Sequence, residues 1–155
     1  MAMAGDLLVT ARRLAKANPK RPRQADLRRS VSTAYYAVFH ALAHQCADRL
    51  VGTGGKRSEP AWQQTYRVLE HGFAKDACFK ARNLGFPQEI VDFGDAFAQL
   101  QEERHKADYD PFIRYSRAEV FLHTSHADQA IRSLNSATRR DQQAFAVLVL
   151  LKRRS

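Results

Sequence analysis

Apolar residues along this chain of 155 residues recur at intervals of three and four positions for almost its whole length. That interval places them on one face of an α-helix, and the chain lacks the strict alternation that would favour a strand. The pattern predicts helices at 5–17, 24–50, 60–80, from about Pro87 to Asp110, and from Ser116 to Ala137. Residues 139–154 continue the pattern, as an extension or as a separate short helix. We therefore predict an all-α fold, an antiparallel up-and-down bundle of about four to five helices.

Turn and capping residues mark the limits of these helices. Segment 52–60, GTGGKRSEP, is a loop in which Ser58 is placed to cap the next helix. Pro60 suits the first turn of that helix. Pro111 ends the fourth helix, because proline disfavours helical geometry at the residue before it. Ser116 is a further N-cap candidate, with a glutamate three residues later as in a capping box.

The predicted helix at 24–50 has two faces of different character. One has the spacing of a buried face, and it consists of Leu27, Val31, Ala34, Tyr35, Val38, Leu42, Cys46 and Leu50. The other is polar and aromatic, and it consists of Arg29, Thr33, Tyr36, His40 and His44. An amphipathic rim is the simpler interpretation of this second face, since Arg and Tyr can cover apolar surface while their tips stay hydrated. A binding surface is the alternative.

The predicted helix at 60–80 carries an apolar stripe of its own. Its members are Trp62, Tyr66, Leu69, Phe73 and Ala77. His71 lies in the middle of this helix, beside a glutamate, and we expect it at the surface.

The end of the predicted fourth helix reads QEERHKADYD, residues 101–110. Arg104 continues the register of the apolar residues earlier in this helix, so its side chain is expected to point into the bundle. A partly buried arginine requires a partner, and Asp108 lies one helical turn away. Arg29 of the long helix is a second side chain that could reach Asp108. The segment is therefore either a salt-bridged helix end or part of a functional site.

Composition and charge narrow the classes of function. Lys and Arg total 25 against 16 Asp and Glu, a net charge of +9. Such a surface attracts polyanions, chiefly nucleic acid or acidic proteins. Cys46 and Cys78 lie inside helical patterns without metal or disulfide spacing, which is typical of reduced thiols in a cytoplasmic protein. No long apolar region precedes the first charged residues, so we expect no secretory leader. No stretch is long enough to span a bilayer and there is no phosphate-binding glycine loop, so we expect a cytoplasmic protein without membrane contact.

Two segments together resemble the HEPN superfamily, and most of all its small uncharacterised bacterial members. They are LRRSVSTAYYAVFHAL at 27–42 and RHKADYDP at 104–111, and the resemblance covers about residues 24–137. It implies a single helical domain over 1–155, with a basic N-terminal segment and a C-terminal helical extension at 139–155. It further implies a homodimer, and in many relatives a metal-independent endoribonuclease. Such relatives occur as toxins paired with a nucleotidyltransferase antitoxin, or within defence systems.

The resemblance also implies a site. The family pattern is an Arg, often followed by Asn, Asp or His, with a His after four to six further residues. Arg104 and His105 match its beginning, whereas residues 109–111 are Tyr, Asp and Pro, so the terminal His is absent. The candidate catalytic residues are Arg104, His105, Asp108 and Tyr109. The candidate RNA- or nucleotide-binding residues are Arg29, Tyr36 and His40. No cofactor and no metal is expected.

The chemistry of these residue types suits RNA cleavage without a metal. Arg104 could hold a phosphate with its planar guanidinium, and His105 or His40 could accept the 2′-hydroxyl proton near neutral pH. Tyr109 could donate a hydrogen bond to the phosphate. A first alternative is a non-catalytic module that binds a partner such as a nucleotidyltransferase, with Arg29, Tyr36, Arg104 and Asp108 as an internal network. A second alternative is nucleotide binding in a groove of the bundle, with Tyr36 stacking on the base.

Overall fold

The computed structural model describes residues 2–154, and within this range it contains α-helices and no strand. The helices are α1 (Ala2–Lys16), α2 (Gln24–Leu50), α3 (Glu59–Val68), α4 (His71–Ala81), α5 (Gln88–Tyr109), α6 (Arg117–Ser136) and α7 (Arg139–Leu150). The predicted all-α class is confirmed. The predicted number of four to five helices is wrong, since the described residues form seven.

The helix predicted at 60–80 is two helices, α3 and α4. Leu69 (φ −60°, ψ 122°) and Glu70 (φ −110°, ψ 139°) are both extended and turn the chain between them. Leu69 is nevertheless buried in the core. The apolar spacing therefore runs through the break without interruption, and this is why the pattern predicted one helix. The turn also carries His71 toward α2.

Helix α2 is the centre of the bundle and packs against α1, α3, α5, α6 and α7. Its predicted apolar stripe is buried, apart from Leu50, which is half-buried. The main core around it contains large, fully buried side chains from three helices, namely Tyr35, Val38 and Leu42 of α2, Phe93 and Phe97 of α5, and Phe145 of α7. Burial of such side chains is the main stabilising contribution in a bundle of this kind. The core thus includes α7, beyond the range 24–137 that the resemblance covers.

Side chains within residues 2–154 cap three of the helices. Ser58 accepts a hydrogen bond from the backbone N–H of Ala61, and Ser116 accepts one from that of Glu119. Both caps were predicted from the sequence and are confirmed. Thr138 caps α7 in the same way, which makes α7 a separate helix and not a continuation of α6. Each cap stabilises its helix by about 1 kcal/mol.

A second, smaller core lies at the end of the bundle where α5 finishes. It contains Ala15, Leu27, Val31, Ala107, Tyr115 and Val120. Gln24 joins this core to the loop after α5, because its side-chain amide donates to the Tyr115 carbonyl (2.8 Å) and accepts from the Tyr115 N–H (2.9 Å). The start of α2 is thereby held against the end of α5, which brings the two quoted sequence segments together. None of the helices within residues 2–154 combines the length and the apolar character needed to cross a bilayer.

Candidate functional site

The C-terminal end of α5 is held by Arg28. Its Nη1 donates to the carbonyl oxygens of Ala107 (3.0 Å) and Asp110 (2.7 Å), and its Nη2 donates to that of Ile113. The last carbonyls of a helix lack partners within the helix, so one guanidinium here satisfies the helix end and the following turn. The sequence pointed to the neighbouring residue, Arg29, which is exposed. The double arginine in LRRS was the signal, but spacing alone did not show which of the two faces α5.

Arg104 points into the bundle, as predicted. Its side chain is only 12% exposed, and its guanidinium carbon lies 5.3 Å from the ring centroid of Tyr35 and 5.9 Å from that of Tyr36. The nearest carboxylate oxygen, on Asp108, is 3.7 Å from Nη1. Nε is buried and has no hydrogen-bond partner among residues 2–154. Arg104 is therefore held by aromatic rings and one long ion pair, with donor capacity left unused.

Asp108 is shared between Arg104 and helix α2. Besides the ion pair it accepts a hydrogen bond from the Ser32 hydroxyl at 3.3 Å. Arg29, the other partner considered from the sequence, does not make this contact; its carbonyl accepts from Thr33 within α2. Asp108 thus links Arg104 to Ser32 of α2 at the end of α5.

His105 and Tyr109 lie on the outer side of the same helix end. Both are exposed, and their ring centroids are 4.9 Å apart. His105 and Arg104 both line a cavity of about 400 Å³, the Arg104 cavity, together with Lys75, Gln101, Glu102 and Lys106. Asp108 and Tyr109 are not part of its lining. The four candidate catalytic residues therefore divide into a pair within the cavity and a pair beside it.

The Arg104 cavity is basic. Lys75, Arg104 and Lys106 contribute three cations, and Glu102 contributes one carboxylate, which pairs with Lys75 at 3.1 Å. Within the described residues, the buried Gln101 Oε1 lacks a hydrogen-bond partner, as does Arg104 Nε. Lys106 also pairs with Glu103 and Arg104 with Asp108, each at 3.7 Å. Three cations whose remaining donors lie beyond these single ion pairs are suited to a phosphate group.

The three candidate binding residues do not form one group. Tyr36 is half-buried beside Arg104, and its ring centroid lies 6.5 Å from that of His40. His40 Nδ1 and the Tyr66 hydroxyl share a hydrogen bond of 2.6 Å, and burial lowers the pKa of His40. Tyr36 and His40 therefore join the surroundings of Arg104, whereas Arg29 lies apart from them.

His71 was predicted to lie at the surface, and this prediction is wrong. It is half-buried, its Nδ1 and the Tyr35 hydroxyl share a hydrogen bond of 2.5 Å, and its ring stacks on Phe39 at 4.2 Å. Burial, then the positive charge of Arg104, lower the pKa of His71. The expectation of a surface residue failed because it assumed an unbroken helix at 60–80. The break before α4 turns the imidazole toward α2.

Tyr36, His40 and Tyr66 follow one another as an aromatic row that begins beside Arg104, and a second cavity lies at its other end. It has a volume of about 380 Å³ and is lined by Met3, His40, His44, Trp62, Gln63, Tyr66 and Arg67. We call it the Trp62 cavity. The Trp62 Nε1 donates to Asp48 (3.0 Å), and Asp48 also contacts His44 Nδ1 (3.1 Å). Trp62 and Tyr66 belong to the apolar stripe predicted at 60–80, and both are half-buried and line this cavity.

No group of three His, Cys, Asp or Glu side chains within residues 2–154 is arranged to hold a metal ion. Comparison with known proteins gave no matching family model, no matching curated protein and no matching solved structure. The HEPN resemblance therefore stays a prediction that rests on the two quoted segments.

Proposed function

We propose that this chain is an RNA-binding protein of the HEPN type, active as a homodimer in metal-independent cleavage of RNA. The observation that carries the proposal is that Arg104 and His105 line one basic cavity with Lys75 and Lys106. A fixed guanidinium and an accessible imidazole in one cavity supply two of the three groups that cleavage of a phosphodiester requires, namely a cation at the phosphate and a base. The net charge of +9 favours the approach of a polyanion.

Each group has a definite role in this proposal. Arg104 binds a backbone phosphate with the donors that Asp108 leaves unused, and it stabilises the charge that develops on the phosphoryl oxygens. His105 accepts the proton of the adjacent 2′-hydroxyl. The 2′-oxygen then attacks phosphorus, a 2′,3′-cyclic phosphate forms, and the bond to the 5′-oxygen breaks.

The leaving 5′-oxygen needs a proton. In the family pattern a terminal histidine supports this chemistry, and residues 109–111 of this chain provide none. We assign the step to the imidazolium of His105 in a second copy, which is why the proposal requires a dimer. Tyr109, exposed beside His105, is placed to donate a hydrogen bond to the phosphate.

The test is RNA cleavage in the presence of EDTA. The substrates are total cellular RNA and a labelled tRNA pool, and the variants are Arg104→Ala and His105→Ala. Arg139→Ala is the control, because Arg139 is an exposed arginine at the start of α7, outside the Arg104 cavity. Cleavage by the parent and the control, lost in both cavity variants, is the expected result. An inactive parent protein would contradict the catalytic part of the proposal.

The deep position of Arg104 favours one further candidate function. A side chain that is 12% exposed and packed on two tyrosine rings also suits an internal network that fixes α5 against α2. In that case the chain is a non-catalytic HEPN dimer that binds a partner protein, such as a toxin–antitoxin nucleotidyltransferase. Co-expression with a nucleotidyltransferase encoded by a neighbouring gene, followed by size-exclusion chromatography, tests it. A stable complex formed equally well by Arg104→Ala would support this second candidate.

A further inference from the structure

The Trp62 cavity has the rings of Trp62 and Tyr66 in its lining, and the mechanism above does not use it. The rings of Trp62 and Tyr66 lie 5.4 Å apart at an interplanar angle of 37°. His40 lies 5.8 Å from Tyr66, and His44 lies 5.3 Å from Trp62. The Arg57 guanidinium lies 4.3 Å from the Trp62 ring and fixes the indole. A cavity with pre-formed aromatic walls and few polar groups is the usual form of a small-ligand site.

We propose that the Trp62 cavity binds one unstacked base of a single-stranded RNA. The inference rests on the proposed function, because it assigns the base-reading part of the same RNA-binding surface. Stacking on aromatic side chains is how proteins hold the bases of single strands, since every base has a π-face. Bases inside a duplex are paired and stacked, so the site selects single-stranded RNA.

The polar atoms at the wall suit the edge of a neutral base. The Nδ1 atoms of His40 and His44 are engaged by Tyr66 and Asp48, which leaves each Nε2 as the nitrogen directed to other partners. Burial lowers the pKa of both histidines, so they are neutral imidazoles at neutral pH. Gln63 adds an amide to the lining. Neutral donors and acceptors around a stacked ring match a nucleobase better than they match a phosphate.

A continuous row of side chains joins this cavity to the phosphate site. From Tyr66 the row passes to His40 (5.8 Å), from His40 to Tyr36 (6.5 Å), and from Tyr36 to the Arg104 guanidinium (5.9 Å). A strand with one phosphate at Arg104 therefore reaches the Trp62 cavity within a few nucleotides. Arg67, exposed and part of the cavity lining, is available to the backbone beside the bound base.

Trp62 is the only tryptophan in the chain, so its fluorescence reports on this cavity directly. The parent protein is titrated with adenosine, adenosine 5′-monophosphate and ribose 5-phosphate, with N-acetyltryptophanamide as the free-indole control. We expect saturable quenching by the two ligands that carry a base and none by ribose 5-phosphate. Quenching that rises linearly, as it does for the free indole, would overturn the proposal. This measurement needs no variant and does not depend on Arg104.

Variants then connect the cavity to RNA. We expect Tyr66→Ala to weaken binding of a short single-stranded oligoadenylate by roughly 5- to 100-fold, as loss of one stacked base does. Phe112→Ala is the matched control, because Phe112 is an aromatic residue 89% exposed and outside the cavity. Equal affinities of Tyr66→Ala and the parent would contradict the inference. If Tyr66→Ala does not fold by circular dichroism, the fluorescence titration of the parent decides.

The failure of this inference is distinguishable from the failure of the proposed function. If Arg104→Ala loses RNA affinity while Tyr66→Ala keeps it, the phosphate site stands and the base site is wrong. If adenosine quenches Trp62 saturably while Arg104→Ala binds RNA normally, the base site stands and the phosphate assignment is wrong.

Discussion

Adjacent arginines on α2 have different surroundings, and this difference defines their roles. Arg28 donates to three carbonyl oxygens at the end of α5, whereas Arg29 is exposed. Hydrogen bonds from a charged donor stabilise by about 1.5–3 kcal/mol, and part of the Arg28 side chain remains hydrated. We expect Arg28→Ala to lower the free energy of unfolding by roughly 2 kcal/mol, measured by urea denaturation followed by circular dichroism.

Arg29→Ala is the matched control for this prediction. It removes the same charge one residue later, and an exposed substitution of this kind changes the free energy of unfolding by less than about 0.5 kcal/mol. Equal losses in the two variants would show that net charge, and not the capping of α5, is responsible.

Under the proposed function, the position of Arg104 sets RNA binding against the stability of the fold. Its guanidinium is largely removed from water, its Nε is unpaired, and its ion pair with Asp108 is long at 3.7 Å. Replacing a poorly compensated buried charge by an apolar side chain of similar length is often neutral or stabilising. We therefore expect Arg104→Met to keep or raise the thermal midpoint while it weakens RNA binding, measured by calorimetry and by a filter-binding assay. A large fall in the midpoint would favour a purely structural role for Arg104.

At the scale of helices, the close approach of α4 and α5 depends on Gly94. A Cβ at this position would lie 3.2 Å from the carbonyl oxygen and 3.3 Å from the Cβ of Cys78. Because Cys78 is buried in α4, neither atom can move without moving the helix. We expect Gly94→Ala to lower the free energy of unfolding by about 1 kcal/mol, since overpacking outweighs the gain in helix propensity.

Gly72→Ala is the control for this packing argument. Gly72 lies in α4, is exposed, and has no neighbouring atom within 4 Å of a Cβ built there. The added methyl group meets no neighbour, and alanine favours the helix more than glycine does. This variant should therefore be more stable than the parent by about 0.5 kcal/mol. If both Gly94→Ala and Gly72→Ala stabilise the protein in urea denaturation, α4 must shift enough to accommodate the methyl group at position 94.

The buried faces of the helices could be predicted from the sequence, because burial and periodicity are local properties. The stripe from Leu27 to Cys46 and the inward direction of Arg104 followed from helical register alone. The break at Leu69 did not, because Leu69 keeps the apolar spacing while its backbone is extended. The position of His71 and the Trp62 cavity depend on that break, so no local signal could have revealed either.

At the scale of the whole molecule, the chain has 25 basic and 16 acidic residues, a net charge of +9. Under the proposed function, this charge predicts that association with RNA depends on salt. Each phosphate contact releases a counterion, so the logarithm of the binding constant falls with the logarithm of salt, with a slope of about −0.7 per contact for single strands. We expect Arg104→Ala to make this slope shallower by about one contact. Filter binding across a salt series measures it, and an unchanged slope would exclude Arg104 as a phosphate ligand.

The pH dependence of stability is a second property of the whole molecule. Burial lowers the pKa of four histidines below their ordinary value of 6.5, namely His40, His44, His71 and His126. Below about pH 6.5 these histidines become protonated in the unfolded chain while they stay largely neutral in the folded chain. Protonation therefore favours unfolding. The stabilisation is therefore complete above about pH 6.5, and it is lost as the pH falls through the pKa values of these histidines in the folded protein.

We expect the urea midpoint to fall between about pH 7.5 and about pH 5.5. It should fall less in His126→Asn, which removes one of these four histidines outside the aromatic row. A midpoint that stays constant or rises as the pH falls would mean that these imidazoles are as accessible to protons in the folded protein as in the unfolded chain.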